Sequence, residues 1–288
     1  MSFMDKQALD LWQAIILAII EGLTEYLPVS STGHIILGSA AMGIEGDQFV
    51  KDYTVIVQFG AILSVLVVYR ERFRAALKEA GRRTLALYFA AFLPAAFFGL
   101  LLGKKIDAWL GDVAVVGWSL LIGGIILLGL DRFEVMIHKH NHQRSNGRWK
   151  REDDALKIPF THAIGIGFSQ CLALIPGVSR SGASIAGALG FGYTRKTAAE
   201  FSFFLAVPTL SAASGYKLLK MGDAFNWDTA PVIVIGNLAS FFVGILAIKS
   251  FIGFLQRHGF FWFGIYRILV GGCILLLLAS GYSLKMVD

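Results

Sequence analysis

Apolar residues along this chain gather into long runs separated by short polar and basic segments. Six runs, at about Tyr53–Tyr69, Thr84–Gly103, Val113–Leu130, Ala198–Leu219, Pro231–Phe251 and Phe261–Gly281, are long enough to cross a membrane as helices. That needs about 20 residues for roughly 30 Å of hydrocarbon. Four shorter runs, Leu11–Leu27, Ile35–Met42, Ile158–Ile175 and Ala183–Phe191, are too short to cross alone. They form two pairs, each interrupted by Pro, Ser and Gly, which predicts two re-entrant helical hairpins, 11–42 and 158–191, with a binding site where they meet.

The second break can be laid on the first. Leu27-Pro28 matches Ile175-Pro176, and Ser30-Ser31-Thr32-Gly33 matches Ser179-Arg180-Ser181-Gly182 after one inserted residue. The order of hairpin and three spans then repeats, and three is odd, so the halves enter the membrane from opposite sides. The expected fold is an all-α polytopic membrane protein: six transmembrane helices plus two re-entrant helical hairpins in an inverted-topology repeat. Its parts are 1–131 (hairpin 11–42 and three spans), a polar cytoplasmic linker 132–157, and 158–288 (hairpin 158–191 and three spans).

Composition agrees. Of 288 residues 56% are hydrophobic and 16% charged, against about 25% charged in a soluble domain. The net charge of +6 does not indicate a nucleic-acid partner, because the basic residues lie between the apolar runs, where they set topology and meet anionic headgroups. One side collects Arg70, Arg72, Arg74, Lys78, Arg82, Arg83, Arg132, Lys139, Arg144, Arg148, Lys150, Arg151, Lys157, Arg195, Lys196, Lys249 and Arg257. The other has only Lys6, Lys51, Lys104, Lys105, Lys217, Lys220 and Lys285. The richer side is cytoplasmic by the positive-inside rule, which places both termini and the mouth of the first hairpin outside. Leu11–Ile20 is read as retained rather than as a cleaved leader, since Asp5 and Asp10 precede it and no small-residue cleavage site follows. Cys171 and Cys273 sit inside apolar runs and are expected in the core. The His138-Lys139-His140-Asn141-His142 run is read as incidental to a solvated loop.

Chemistry concentrates at Glu21–His34, EGLTEYLPVSSTGH. Glu21 and Glu25 are four apart and share a helix face. Pro28 stops that helix, and Ser30, Ser31, Thr32 and Gly33 open the next. An acidic residue at mid-membrane costs roughly 2.5–3.5 kcal/mol, so two need compensation: one is protonated, or a cation bridges them. A helix N-terminus with spare N–H groups is also an anion site. His34 in the following turn is a candidate for proton transfer or nucleophilic attack. Arg180 is the only cation of the second break, suited to phosphate oxygens or to a pair with Glu21 or Glu25. Arg267 is expected in a buried pair with Glu200, and Gln58 and Gln170 in interhelical hydrogen bonds.

The Glu21–His34 segment, together with Gln170–Gly182 (QCLALIPGVSRSG), resembles the paired signatures of the bacterial undecaprenyl-diphosphate phosphatase family, also called the bacitracin-resistance family. The resemblance extends through Ala199–Phe203 and Tyr266-Arg267; Ser184, where threonine is expected, is a mild departure. It implies an integral enzyme of the bacterial inner membrane that converts undecaprenyl diphosphate to undecaprenyl phosphate, returning the carrier to cell-wall synthesis. It also implies a divalent cation, Mg2+ or Ca2+, held by Glu21 and Glu25. By the same resemblance Glu25, Ser31, His34 and Arg180 are catalytic. Ser30, Thr32, Gly33, Ser179, Ser181 and Gly182 are phosphate contacts. The nucleophile stays open between Ser31, His34 and a metal-bound water. A homodimer is one open oligomeric state. The rival functions are a polyprenyl-lipid transporter on the same repeat, and a type 2 phosphatidic acid phosphatase, which would need a second histidine after Arg180.

Overall fold

The structure is a computed structural model that describes residues 9–79, 81–144, 154–222, 225–282 and 284. Eleven helices occur among them, and no strand. The first hairpin is α1 (Leu11–Thr24) and α2 (Ser31–Ala41), followed by α3 (Gln48–Val68), α4 (Arg70–Glu79), α5 (Gly81–Gly111) and α6 (Val113–Arg144). The second is α7 (Phe160–Gln170), a 3-10 turn at Cys171–Leu174 and α8 (Arg180–Gly190), followed by α9 (Arg195–Met221), α10 (Ala230–His258) and α11 (Phe261–Ala279). Local chemistry sets the ends. Gln13 reaches back to the backbone N–H of Asp10 at 3.1 Å to open α1, and the Asp47 carboxylate takes the Phe49 N–H at 2.6 Å to open α3.

Helices α3, α5, α6, α10 and α11 are long and apolar enough to cross a membrane. The sixth expected span, α9, is long enough at 27 residues but falls outside that set, because Glu200, Ser202, Thr209, Ser211 and Ser214 dilute its apolar character. Apolar side chains such as Leu100 and Leu246 are exposed along these helices, which suits lipid and would be a liability in water.

The two hairpins pack alike. α1 lies against α10 as α7 lies against α5, α3 crosses α9, and α6 pairs with α11. A glycine makes each hairpin contact close. A Cβ on Gly22 would meet the Ser240 carbonyl of α10 at 2.8 Å, and one on Gly167 would collide with the Ala91 carbonyl of α5. Small residues let helix backbones approach where apolar burial gives no advantage over lipid. Beneath the tips lies an aromatic core: Tyr26 meets Phe203 edge-on at 5.1 Å, and Tyr69, Tyr88 and Phe201 join it.

Several expectations need correction. The His138–His142 run does not lie in a loop but in α6, which continues to Arg144. Along this helix Arg195 of α9 holds Asp131 at 2.8 Å and the buried Glu134 at 2.7 Å, one turn apart. The middle of the expected linker 132–157, at 145–153, lies outside the described residues, with Arg148, Lys150 and Arg151, and so do Asp5, Lys6, Lys285 and both termini. Cys273 is exposed on α11 rather than in the core, and Cys171 is half-buried. Arg267 does not pair with Glu200; Arg72 takes that carboxylate, and Arg267 lies at the hairpin tips.

Candidate active site

Where the two chain breaks meet, three direct links join them. The Arg180 guanidinium donates to Glu25 Oε1 at 2.9 Å, the Ser181 hydroxyl donates to the Leu27 carbonyl at 2.8 Å, and Arg267 bridges both from behind. Its Nη1 donates to the carbonyls of Pro28 (3.2 Å) and Val178 (3.1 Å), and its Nη2 to those of Gly177 (2.8 Å) and Ser119 (3.1 Å). At 1% exposure it is fully buried. A planar fork with five donors can satisfy several carbonyls where helices are broken and no water reaches, and a carboxylate partner is not needed. This explains why the ion pair expected with Glu200 does not form.

Ser30 and Ser179, the residues matched between the breaks, are the two non-glycine residues with positive φ among those described, at 67° and 73°. Such backbone costs of order 1–3 kcal/mol per residue and is kept where surrounding structure imposes it. The following helices differ. Ser179 Oγ accepts the Gly182 N–H at 3.2 Å and caps α8, whereas Ser30 makes no side-chain cap on α2. The first-turn N–H groups of α2 therefore keep their donors for something else.

A cavity of ≈ 350 Å³ opens at the tips. Glu21, Glu25, Ser30, Ser31, Thr32, Ser179 and Arg180 all line it. Ser31 Oγ donates to Glu25 Oε2 at 3.0 Å, so Glu25 is shared between the hydroxyl and Arg180. Arg180 is in turn held by Ser202 of α9, at 2.8 Å from its carbonyl and 3.3 Å from its hydroxyl. Ser184 steadies Ser202 at 2.8 Å, so serine serves at the position where threonine was expected. Three buried polar atoms of residues lining the cavity have no protein partner: Arg180 Nε, a donor, and Glu21 Oε1 and Gln170 Oε1, both acceptors.

The remaining expected residues do not reach the cavity. His34 follows in α2, but its Nδ1 lies 2.8 Å from the Ser30 carbonyl and its Nε2 2.7 Å from the Tyr266 hydroxyl. A carbonyl only accepts, so Nδ1 carries a proton in that contact. Gly33 is a packing position, where a Cβ would stand 2.5 Å from Leu120 Cδ1. Ser181 is buried in the contact between the tips, and Gly182 behind it donates to Ser179. Ser184, Ser202, Tyr266 and Arg267 escaped functional reading in the sequence. Their place in apolar runs and the resemblance around them mark these positions, but not their roles, because their partners come from other helices.

The donor set can be tested against a divalent cation. Glu21 faces Glu25, Ser31 and Gln58, and its Oε1 is buried at a residue 1% exposed, with no partner. Among the described residues no three His, Cys, Asp or Glu side chains gather as a closed metal cage. Two carboxylates and a hydroxyl, with the Gln58 amide beside them, suit a hard cation such as magnesium that takes oxygen ligands.

The chain matches the sequence profile of the family described as bacitracin resistance protein BacA over residues 14–273. It is 47% identical to an undecaprenyl-diphosphatase of Bdellovibrio bacteriovorus, over 95% of this chain and 98% of the relative. It is 48% identical to one of Flavobacterium psychrophilum (92% and 95%) and 45% identical to one of Porphyromonas gingivalis (95% and 99%).

Proposed function

The chain belongs to the bacitracin resistance protein BacA family, and from that premise we infer that it is a multi-pass membrane phosphatase. It hydrolyses undecaprenyl diphosphate to undecaprenyl phosphate and inorganic phosphate, the activity for which its relatives are named. The observation that carries the chemistry is the hydrogen bond from Ser31 to Glu25, made where Arg180 and the uncapped start of α2 converge.

Ser31 is the nucleophile. Its Oγ attacks the terminal phosphorus and its proton passes to Glu25 Oε2, 3.0 Å away. The Oγ–P bond forms as the anhydride P–O bond breaks, and undecaprenyl phosphate leaves with the bonding electron pair. Water then attacks the phosphoserine and releases inorganic phosphate, with the proton returned to Ser31. The first-turn N–H groups of α2 and the free Nε of Arg180 face the charge that spreads over the transferring phosphoryl oxygens. Glu21, Glu25 and Gln58 would hold a magnesium or calcium ion, which when bound neutralises diphosphate charge. Ser30, Thr32 and Ser179 line the same cavity as phosphate contacts. His34, turned to Ser30 and Tyr266, sets the orientation of α2 rather than taking the Ser31 proton.

The helices form six spans and two re-entrant hairpins in an inverted repeat. The matched positive φ at Ser30 and Ser179 and the exchange of α1 on α10 for α7 on α5 support this. The cavity takes in Lys51 near the start of α3, Ile106 late in α5 and Ala213 late in α9, the helix ends remote from Arg72 and Arg195. With the arginine-rich side cytoplasmic, it opens to the periplasmic face of the inner membrane.

Phosphate release by purified protein in detergent tests the activity. The wild type turns over and loses turnover with a chelator. If it releases no phosphate from undecaprenyl diphosphate with magnesium or calcium supplied, the reading is wrong.

A further inference from the structure

The tips occupy one side of the cavity. The rest of its wall comes from α3, α5, α7 and α9, and it is polar at particular points. Gln170 of α7 is 2% exposed, lines the cavity, and has no partner for Oε1. Its Nε2 donates to Thr209 Oγ1 of α9 at 3.3 Å, and Thr209 in turn donates to the Leu205 carbonyl at 2.8 Å. One end of the amide is thus held, and the other, on a residue that lines the cavity, is left without a partner. A buried amide atom without a partner costs about 1–3 kcal/mol unless a ligand meets it. Lys51, in the first turn of α3, lines the same cavity. Its neighbour Asp52 is taken by Lys217 at 2.7 Å. Lys51 and Arg180 are the cations of the described lining, and Arg180 is already engaged by Glu25.

We propose that Lys51 and Gln170 form a second phosphate subsite, which grips the phosphate that stays on the lipid and so selects diphosphate over monophosphate. This rests on the phosphatase reading. In-line transfer puts the leaving oxygen opposite the attacking Ser31 Oγ, so the retained phosphate points away from α2 toward the wall of α3, α7 and α9. There the Lys51 ammonium meets the charge that builds on the leaving oxygen. The Gln170 amide turns its NH2 group to the phosphate, while the Thr209 hydroxyl turns to donate to the amide oxygen. Val55, Leu210 and Ala213 continue the wall with apolar surface for the first prenyl unit. The product carries a single phosphate, which cannot fill both subsites at once.

Titration calorimetry on the purified, detergent-solubilised full chain, with inorganic pyrophosphate and inorganic orthophosphate as probes in magnesium buffer, tests this. The wild type binds pyrophosphate the more tightly. Lys51→Met and Gln170→Leu each weaken pyrophosphate about tenfold and orthophosphate by less than about twofold, and Lys51→Arg restores most of the loss. Equal weakening of both anions, or unchanged pyrophosphate binding in both variants, overturns the subsite. Phosphate release by the same wild-type preparation is scored apart. Its absence removes the phosphatase reading, while release with unchanged pyrophosphate binding removes the subsite alone.

Discussion

Ser31 is set apart from its neighbours Ser30 and Thr32 by its hydroxyl, which donates to a carboxylate. Ser31→Ala should therefore lower kcat at least about a thousandfold with the unfolding temperature unchanged, as for loss of a nucleophile acting in concert with its base. Near-normal phosphate release would give the attack to another group. Arg180→Lys keeps the charge but cannot span Glu25, Ser202 and a phosphate oxygen together. The expected cost is about a hundredfold in kcat, typical of losing one preorganised donor. His34→Phe keeps an aromatic ring and loses both hydrogen bonds. It should cost far less than Ser31→Ala in the same assay if the imidazole only orients α2; equal losses would restore it to the proton-transfer step.

Broken helices must be satisfied by something, and here Arg267 of α11 serves both breaks at once. Arg267→Lys retains a cation with three donors on a flexible stem but loses the fork. We expect lower thermal stability in detergent and a kcat reduced about tenfold with KM little changed, because tip geometry suffers rather than substrate affinity. Ser30 offers a second test. Its φ of 67° is strained for a side chain with a Cβ, so Ser30→Gly should fold at least as stably as wild type while Ser30→Val should lose about 1–3 kcal/mol. Equal unfolding temperatures for the two would mean that the break carries no strain.

For the whole molecule, the arginine-rich face and the cavity face lie at opposite ends of α3, α5 and α9. Single cysteines introduced in a Cys171→Ser, Cys273→Ser background report the orientation. In intact spheroplasts, Asp228→Cys, in the exposed turn before α10, should react with a membrane-impermeant thiol reagent. Lys78→Cys, in α4, should react only after permeabilisation. The reverse pattern would invert the proposed topology.

The apolar runs, their broken pairs and the acid–hydroxyl break were legible in the sequence, because membrane insertion and helix interruption depend on local composition. The contact of Glu25 with Arg180 was foreseeable as one of two options for the same reason: an intramembrane cation needs a partner, and few exist. What the sequence could not decide was which partner on another helix each polar group takes. Arg267 satisfies carbonyls of both tips instead of Glu200, His34 turns to Tyr266, and α9, the least apolar of the proposed spans, supplies Ser202 and Thr209 to the site. Those choices follow from which helices pack together and how closely. Backbone carbonyls, which every residue owns, carry no mark in a sequence until the fold strips them of water.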